Sequence, residues 1–513
     1  MRRGFVFVAS GLFFCILSNI NAAVTVYVVP AISDDKILPE SVLPEALISR
    51  NIALTACRGE FEPASFVVRS DTDITGLCLT SSDLILEDGT GIIPADYVDI
   101  RVVKCWYQAG YRVNDLIHKH LTPELIVKDD SLIYTSDESN YLKLTPNVGD
   151  PYYVCISDPD TKDYRQVLSL EEFPVKDTVT LQPVNLVSGQ NKQFWITVKV
   201  PEDAAFGTYT GHITLTTSDI VETIDVKIWV PEFTLLPPCL TYSIYYRGVL
   251  DPIGSISSER KNVTQFTAEM RNLFNHGVTA PTLYGQSYLR DALAIRKNEH
   301  IDNSTLYYLG YGIATPGLAS LWPDFIETIT PYGVDQVYIY GFDEQDHDTP
   351  QRRAQIAAVH TLGGKVFVAQ NPARASAVVD ILDMAVSSTL DSSLAQLYHD
   401  YGHQVFSYGN PQVGEENPAR YRRNYGLLLW RNNYDGTMNY AYQDSFGNIW
   451  NDFDHYRYRD HNFTYPTVTG VIDTLAWEGF REGVDDVRYL TTLHARIEEV
   501  IQSSDAELKR IAK

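Results

Sequence analysis

The sequence predicts a multidomain protein, an N-terminal all-β sandwich followed by a (β/α)8 TIM-type barrel. Three observations predict it. Up to about residue 236, short β-branched and aromatic runs recur between Gly, Asp, Asn and Pro turns, and amphipathic helices are missing. The pair Pro237-Pro238 then interrupts the chain as a stiff linker. Beyond it, strand-like runs alternate with helix-like ones, and eight strands can be counted, the pattern of a barrel. A length of 513 residues exceeds one ordinary core, which agrees with the division.

At the start, Met1-Arg2-Arg3 and the apolar run from Phe5 to Leu17 have the form of a secretory signal, with a small-residue cleavage site at Asn21-Ala22-Ala23. Residues 1–22 are therefore expected to be removed. The run is too short to span a bilayer and no later stretch approaches a span, so the expected product is exported with no stable membrane anchor. Cys15 lacks the small-residue context of a lipoprotein site. The remaining cysteines, Cys57, Cys78, Cys105, Cys155 and Cys239, leave room for one or two disulfides but form neither a disulfide scaffold nor a zinc motif.

The sandwich is assigned to residues 24–236, with strands expected at 24–29, 64–68, 97–103, 178–181, 194–200, 212–217 and 221–230. Residues 104–108 and 122–130 break this rhythm and read as a long loop reaching across the domain boundary. The barrel is assigned to residues 240–513. Its strands are expected at 241–247, 278–283, 305–309, 336–340, 365–369, 384–387, 404–408 and 437–442. Helices are expected at 263–275, 318–329, 351–361 and 418–429, and a last one from about 473.

A formal net charge of -24 argues against nucleic acid and anionic membrane surfaces, which need clustered Lys and Arg. The 33 tyrosines are compatible with a ligand that is flat and hydroxylated, and equally with strand-rich structure.

The chemistry centres on Gln336 to Tyr340, an uncharged β-branched and aromatic strand that stops at Gly341 and delivers Asp343 and Glu344. Asp346, His347 and Asp348 follow. A strand end carrying Asp-Glu is more often a polar loop than a site. Here, however, the pair follows the fourth barrel strand, and barrels place their chemistry at the C-terminal strand ends. Other strand ends bring Tyr245, Tyr246 and Arg247, Gln370 and Asn371, Tyr408 and Asn410, and Tyr440 and Tyr442 to the same face. From these, Arg247, Asn371, Tyr408, Asn410, Tyr440 and Tyr442 are the candidate substrate-binding residues.

Glycoside cleavage normally places two carboxyl groups on opposite sides of the scissile bond, which adjacent residues do poorly. Adjacent acids suit substrate-assisted hydrolysis, in which a 2-acetamido oxygen of the sugar is the nucleophile. Glu344 would then be the acid/base, and Asp343 would accept the acetamido N–H and steady the oxazolinium. A tyrosine hydroxyl, Tyr408 or Tyr440, would support the acetamido oxygen.

Gly341-Phe342-Asp343-Glu344 after its strand resembles the catalytic segment of glycoside hydrolase family 123, the β-N-acetylgalactosaminidases. So does Gly363-Gly364-Lys365-Val366-Phe367-Val368-Ala369. The stretch from Trp477 to Leu490, with Glu478, Gly479, Arg481, Glu482, Gly483 and Asp485, resembles the tail signature of the wider group of barrel domains containing that family. The resemblance implies Asp343 as the acetamido-orienting residue, Glu344 as the acid/base, retention of configuration, and no metal or other cofactor. The implied partner is a glycan bearing a 2-acetamido sugar, with GalNAc favoured.

Several motifs read as structural. The tail acids and Arg481 recur at helical spacing and are expected to pair beside a buried Trp477. Asn451-Asp452-Phe453-Asp454-His455 is rich in oxygen but lacks calcium-loop spacing, and His347 and His455 have no partners at zinc spacing. Two other functions compete: a hydrolase of a glycan without the acetamido group, and a catalytically silent carbohydrate-binding surface protein.

Overall fold

The computed structural model describes residues 24–110, 118–159, 165–344, 348–370, 377–414 and 416–502. In the N-terminal half, alternation of apolar and polar residues sets the faces of two sheets. Val221–Val230 shows it plainly: Ile224, Val226, Ile228 and Val230 are buried and the residues between them are not. That strand pairs with Gly207–Thr216 in one sheet, which also holds Ile74–Ser81, Val184–Leu186 and Asn51–Thr55. The other sheet runs in the order Val24–Val29, Phe61–Ser70, Asn191–Lys199, Val98–Ala109, Lys119–Val127, and all these neighbours are antiparallel. Phe66, Val102 and Ile196 from this sheet share one core with Leu77, Ile213 and Ile224 from the other.

Residues 104–108 and 122–127, read from the sequence as loop, are instead one long antiparallel pair with a register shift between Lys104 and Cys105. The shift explains the broken rhythm, because one extra residue inverts the alternation beyond it. The expected reach across the boundary is real. Trp106 packs edge-on against Trp450 and Tyr465, and the Ala109 N–H donates to Asp452 Oδ2 at 2.8 Å. The sheet itself continues into the C-terminal half, where Val471–Thr474 pairs with Lys119–Val127 and then with Thr464–Pro466. All five described cysteines are free thiols.

The C-terminal half is built on parallel strands in the order Thr241–Tyr246, Gly436–Asp444, Gln404–Ser407, Met384–Ser387, Lys365–Gln370, Gln336–Asp343, Thr305–Gly312. Residues 278–283, expected as the second strand, form no regular ladder, since Pro281 has no N–H to give. They still bridge the two ends of the sheet. Thr282 N–H donates to Ile244 O at 3.0 Å, and Leu283 N–H donates to Tyr307 O at 2.8 Å. Helices alternate with the strands as the pattern requires. Val263–Asn275 starts with a capping box of Asn262 and Gln265 and buries Phe266, Met270 and Leu273.

The expected helix at 418–429 is divided into Pro418–Tyr425 and Leu427–Arg431. The division falls at Gly426, where a Cβ would lie 2.6 Å from Arg422 O and 2.9 Å from Gly483 O. Gly483 and Gly479 belong to the long C-terminal helix Leu475–Gln502, and a Cβ on Gly479 would lie 2.1 Å from Pro418 O. The two tail glycines, four apart on one helix face, thus let a neighbouring chain segment press against the helix backbone. Trp477 is fully buried between His276, Phe480 and Phe463.

Candidate active site

The acids are placed by a bulge. Opposite the Lys365–Gln370 strand, Tyr340 pairs with Phe367 but Asp343 pairs with Ala369, so three steps on one strand match two on the other. Gly341 sits in the bulge, where a Cβ would be 2.5 Å from Val368 Cγ1 and 2.9 Å from Val366 Cγ1. The Tyr340 hydroxyl donates to Asp343 Oδ1 at 3.0 Å. Next in the chain, Glu344 donates its N–H to Ala369 O at 3.0 Å and has a left-handed φ of 44°. The hydroxyl of Tyr408 donates to Glu344 Oε1.

Both carboxylates face a cavity of about 680 Å³ at the C-terminal ends of the parallel strands. Tyr245, Tyr284, Tyr340, Phe446 and Tyr458 give it aromatic walls. The lining also includes Arg247 and Tyr440, both tied to the fully buried Asp444. Tyr440 donates to Asp444 Oδ2 at 2.6 Å, and Arg247 lies 3.2 Å from Oδ1 while donating to Glu259 at 2.7 Å.

Burial, then the neighbouring acid, sets the protonation of this furniture. Burial raises the phenols of Tyr340 and Tyr408, and the adjoining Asp343 and Glu344 raise them further, so both remain hydrogen-bond donors. Burial and Asp444 do the same for Tyr440. Burial opposes the charge of Arg247, but Asp444 outweighs it and holds the guanidinium cationic. Burial pushes His461 below the usual imidazole range. Its Nδ1 meets Val413 O at 2.5 Å and must carry the proton of the neutral ring, which leaves Nε2 as an acceptor in a cavity-lining residue.

Of the residues expected from sequence, Asp343, Glu344, Arg247, Tyr408 and Tyr440 come together around the cavity. Tyr442 does not. Tyr440 and Ala441 both turn to the face of the parallel sheet that holds Tyr245, Phe406 and Met438, so the alternation slips and Tyr442 is buried on the helix side, donating to Asn272 Oδ1 at 3.0 Å. Asn410 is not part of the lining; its backbone N–H and C=O bond Tyr425 and Asn424 at 3.0 Å each. Asn371 lies outside the described residues, as do Asp346 and His347. Neither tyrosine proposed for the acetamido oxygen has an idle hydroxyl, because Tyr408 serves Glu344 and Tyr440 serves Asp444.

Tyr284, Gln412, Phe446, Tyr458 and His461 also line the cavity without a mark in the sequence, and Tyr340, which reads as strand core, joins them. Phe446, Tyr458 and His461 belong to the irregular excursion after the last parallel strand, where no periodicity marks them. The bulge at Gly341 was the available signal for Tyr340.

Among the described residues, His276, Asp473 and Glu478 could group around a cation. Their oxygens are already matched by protein donors, which does not fit a metal centre. Asp473 accepts from Asn272 at 2.7 Å and Arg101 at 3.1 Å, and Glu478 accepts from Arg481 at 2.5 Å and Trp195 at 3.3 Å. Burial alone would raise the Glu478 carboxyl, but Arg481 and His276 override it and hold it at about 2.

A scan of protein-family models finds no match to this sequence, and a search of curated proteins finds none either. Among solved structures, the chain is similar to a family 123 glycoside hydrolase from Clostridium perfringens, described in work on glycolipid glycan hydrolysis. The TM-score is 0.63 at 13% identity, over 94% of this chain and 91% of that one. A β-glucuronidase from Parabacteroides merdae matches at a TM-score of 0.33 and 11% identity, over 82% and 66% of the two chains. The first likeness establishes a shared fold along almost the whole length.

Proposed function

We propose that the protein is a secreted retaining glycoside hydrolase that removes β-linked N-acetylhexosamine, GalNAc in preference, by substrate-assisted catalysis. The observation that carries this reading is the juxtaposition of adjacent Asp343 and Glu344, each with its own tyrosine donor, on one aromatic-walled cavity. Tyr340 occupies Oδ1 of Asp343, which leaves Oδ2 to accept an acetamido N–H. The acetamido oxygen then attacks the anomeric carbon while protonated Glu344 gives its proton to the departing oxygen. The negative Asp343 stabilises the cationic oxazolinium. Glu344, now ionised, takes a proton from water, which opens the ring with net retention. Arg247 and Tyr440 in the lining bind sugar hydroxyls, and the aromatic walls take the apolar face of the ring. The glycosidase fold shared with the Clostridium perfringens enzyme supports the reading, as does the placement of the pair at the strand ends.

In this proposal the chain divides into an all-β sandwich that acts as scaffold and a (β/α)8 barrel that carries the chemistry. Export follows from the charged and apolar start of the sequence. The test uses aryl β-GalNAc, β-GlcNAc and β-Gal substrates, with and without a thiazoline mimic of the oxazolinium. Cleavage confined to acetamido sugars and blocked by the thiazoline is the expected result. Cleavage of the β-Gal substrate at a comparable rate, or binding without turnover, would end the substrate-assisted reading.

A further inference from the structure

We propose that Arg165, contributed by the N-terminal half of the chain, is a positioning residue for the barrel cavity, acting through Asp444 on Arg247 and Tyr440. The inference rests on reading that cavity as the glycosidase site.

Arg165 lies in irregular chain that packs between two loops of the C-terminal half. Its backbone surroundings are clamped on both sides: Gln166 N–H donates to Gly447 O at 2.8 Å, and Ile256 N–H donates to Leu168 O at 2.8 Å. Gly447 follows the last parallel strand and Ile256 follows the first, so the segment wedges between the loop beyond Asp444, the last residue of its strand, and the loop that carries Glu259. From there Arg165 Nε donates to Asp444 Oδ1 at 2.5 Å and lies 3.2 Å from Glu259 Oε1. Its guanidinium also rests over Phe446, a cavity wall, 5.6 Å from the ring centre.

The charge count explains why the arrangement needs it. Asp444 is fully buried and Glu259 lies beside it, while among the described residues lining the cavity Arg247 is the cation that reaches the pair. A buried carboxylate is costly unless it is matched and hydrogen-bonded. Among the described residues Arg165 makes the count two cations to two anions, so Arg247 is shared between its acids without being pulled wholly to either. The same carboxylate fixes Tyr440 through Oδ2. A lysine would place a single ammonium where the planar fork of arginine reaches both acids. Arg247 and Tyr440 are therefore held in part by a residue that precedes the barrel in sequence and does not itself line the cavity.

The test compares wild type, R165A, R165K and R247A on the acetamido aryl glycoside that wild type cleaves. Because Arg247 and Tyr440 would touch sugar hydroxyls in ground and transition states alike, R165A should raise KM roughly tenfold or more and leave kcat within about threefold. R165K should recover part of that loss. R165A combined with R247A should cost much less than the product of the single effects, since one change acts through the other. An unchanged KM, a loss confined to kcat, or multiplicative single effects would each overturn the proposal. Crystal structures of wild type and R165A give a readout without turnover. Displacement of Arg247 and Tyr440 from Asp444 is expected, and both residues left in place would refute the positioning role. If wild type cleaves no glycoside, the functional reading fails and these two structures alone decide on Arg165. R165Q replaces R165A should the latter not fold.

Discussion

The Tyr340 hydroxyl donates to the Asp343 carboxylate at 3.0 Å although the two residues are three apart on one strand. On a regular strand, positions i and i+3 point to opposite faces. The register shift against Lys365–Gln370 removes that opposition and turns both side chains to the cavity. The bulge is thus part of the site, and it depends on Gly341 having no side chain.

Gly341→Ala should accordingly damage activity before it destroys the fold. Its Cβ would sit 2.5 Å from Val368 Cγ1, and the strand has to move to relieve the contact. Overpacking of this kind costs about 1–3 kcal/mol. The expected outcome is a soluble protein with a lower Tm and a kcat reduced by more than the stability loss explains. Wild-type kcat in a folded variant would show that the bulge geometry is dispensable.

Glu344→Gln should lower kcat on unactivated glycosides by roughly 10²–10⁴, the range for loss of a general acid/base. Asp343→Asn should fall by roughly 10²–10³, as for loss of a preorganised electrostatic partner. Tyr340→Phe removes only the donor that orients Asp343 and should lose roughly tenfold, in line with one hydrogen bond to a charged group. That order of severity, read from initial rates, distinguishes the two acids from their support. A Tyr340→Phe loss as deep as that of Asp343→Asn would contradict it.

The parallel strand-and-helix half and the position of the adjacent acids at a strand end were legible because they rest on local signals. The strand-helix alternation after Pro238, the uncharged strand before Gly341 and the adjacent acids can all be read without knowing any contact. Tyr442 was misplaced because its face depends on an irregularity at Tyr440 and Ala441 that residue types do not mark. Residues 104–108 were taken for loop for the same reason, a register shift hidden in a strand. Phe446, Tyr458 and His461 reach the cavity from the segment that follows the last parallel strand, and Arg165 reaches Asp444 from a loop nearly 280 positions earlier in the chain. Those positions are set by tertiary contacts, to which a periodicity argument is blind.

The reassignment of Tyr442 has its own test. Tyr442→Phe should leave KM and kcat unchanged, because its hydroxyl is spent on Asn272 on the helix side of the parallel sheet. The loss of that bond should cost about 1 kcal/mol of stability, visible as a small drop in Tm. Asn272→Ala should cost more, since Asn272 also accepts from Trp477 Nε1 at 2.9 Å and donates to Asp473 at 2.7 Å. A rise in KM for Tyr442→Phe would return this residue to the substrate site.

Stability should fall as pH rises from about 5 to 8, because acids buried between the N-terminal sheet and the C-terminal helix resist ionising. Burial first, and Asp485 second, push Glu60 up to about 7. Burial likewise raises Glu482 well above the ordinary carboxylate range and raises Asp485. A group raised on folding stabilises the folded state fully below its unfolded pKa, and that contribution is lost as pH climbs through the folded value. For Glu60 the window therefore runs from the usual carboxylate range to about 7, and the effect is on the order of 3 kcal/mol. Glu478, held at about 2, acts in the opposite sense only below this window, whereas His461, whose imidazole burial holds below its usual range, opposes the trend inside it up to about 6.5. Thermal melts of wild type should show a higher Tm at pH 5 than at pH 8. Glu60→Gln keeps an acceptor for the Cys57 N–H and the Tyr489 hydroxyl while removing the titration, and should flatten the slope. A wild-type Tm that rises between pH 5 and 8, or a slope that Glu60→Gln leaves untouched, would rule out this acid cluster as its source.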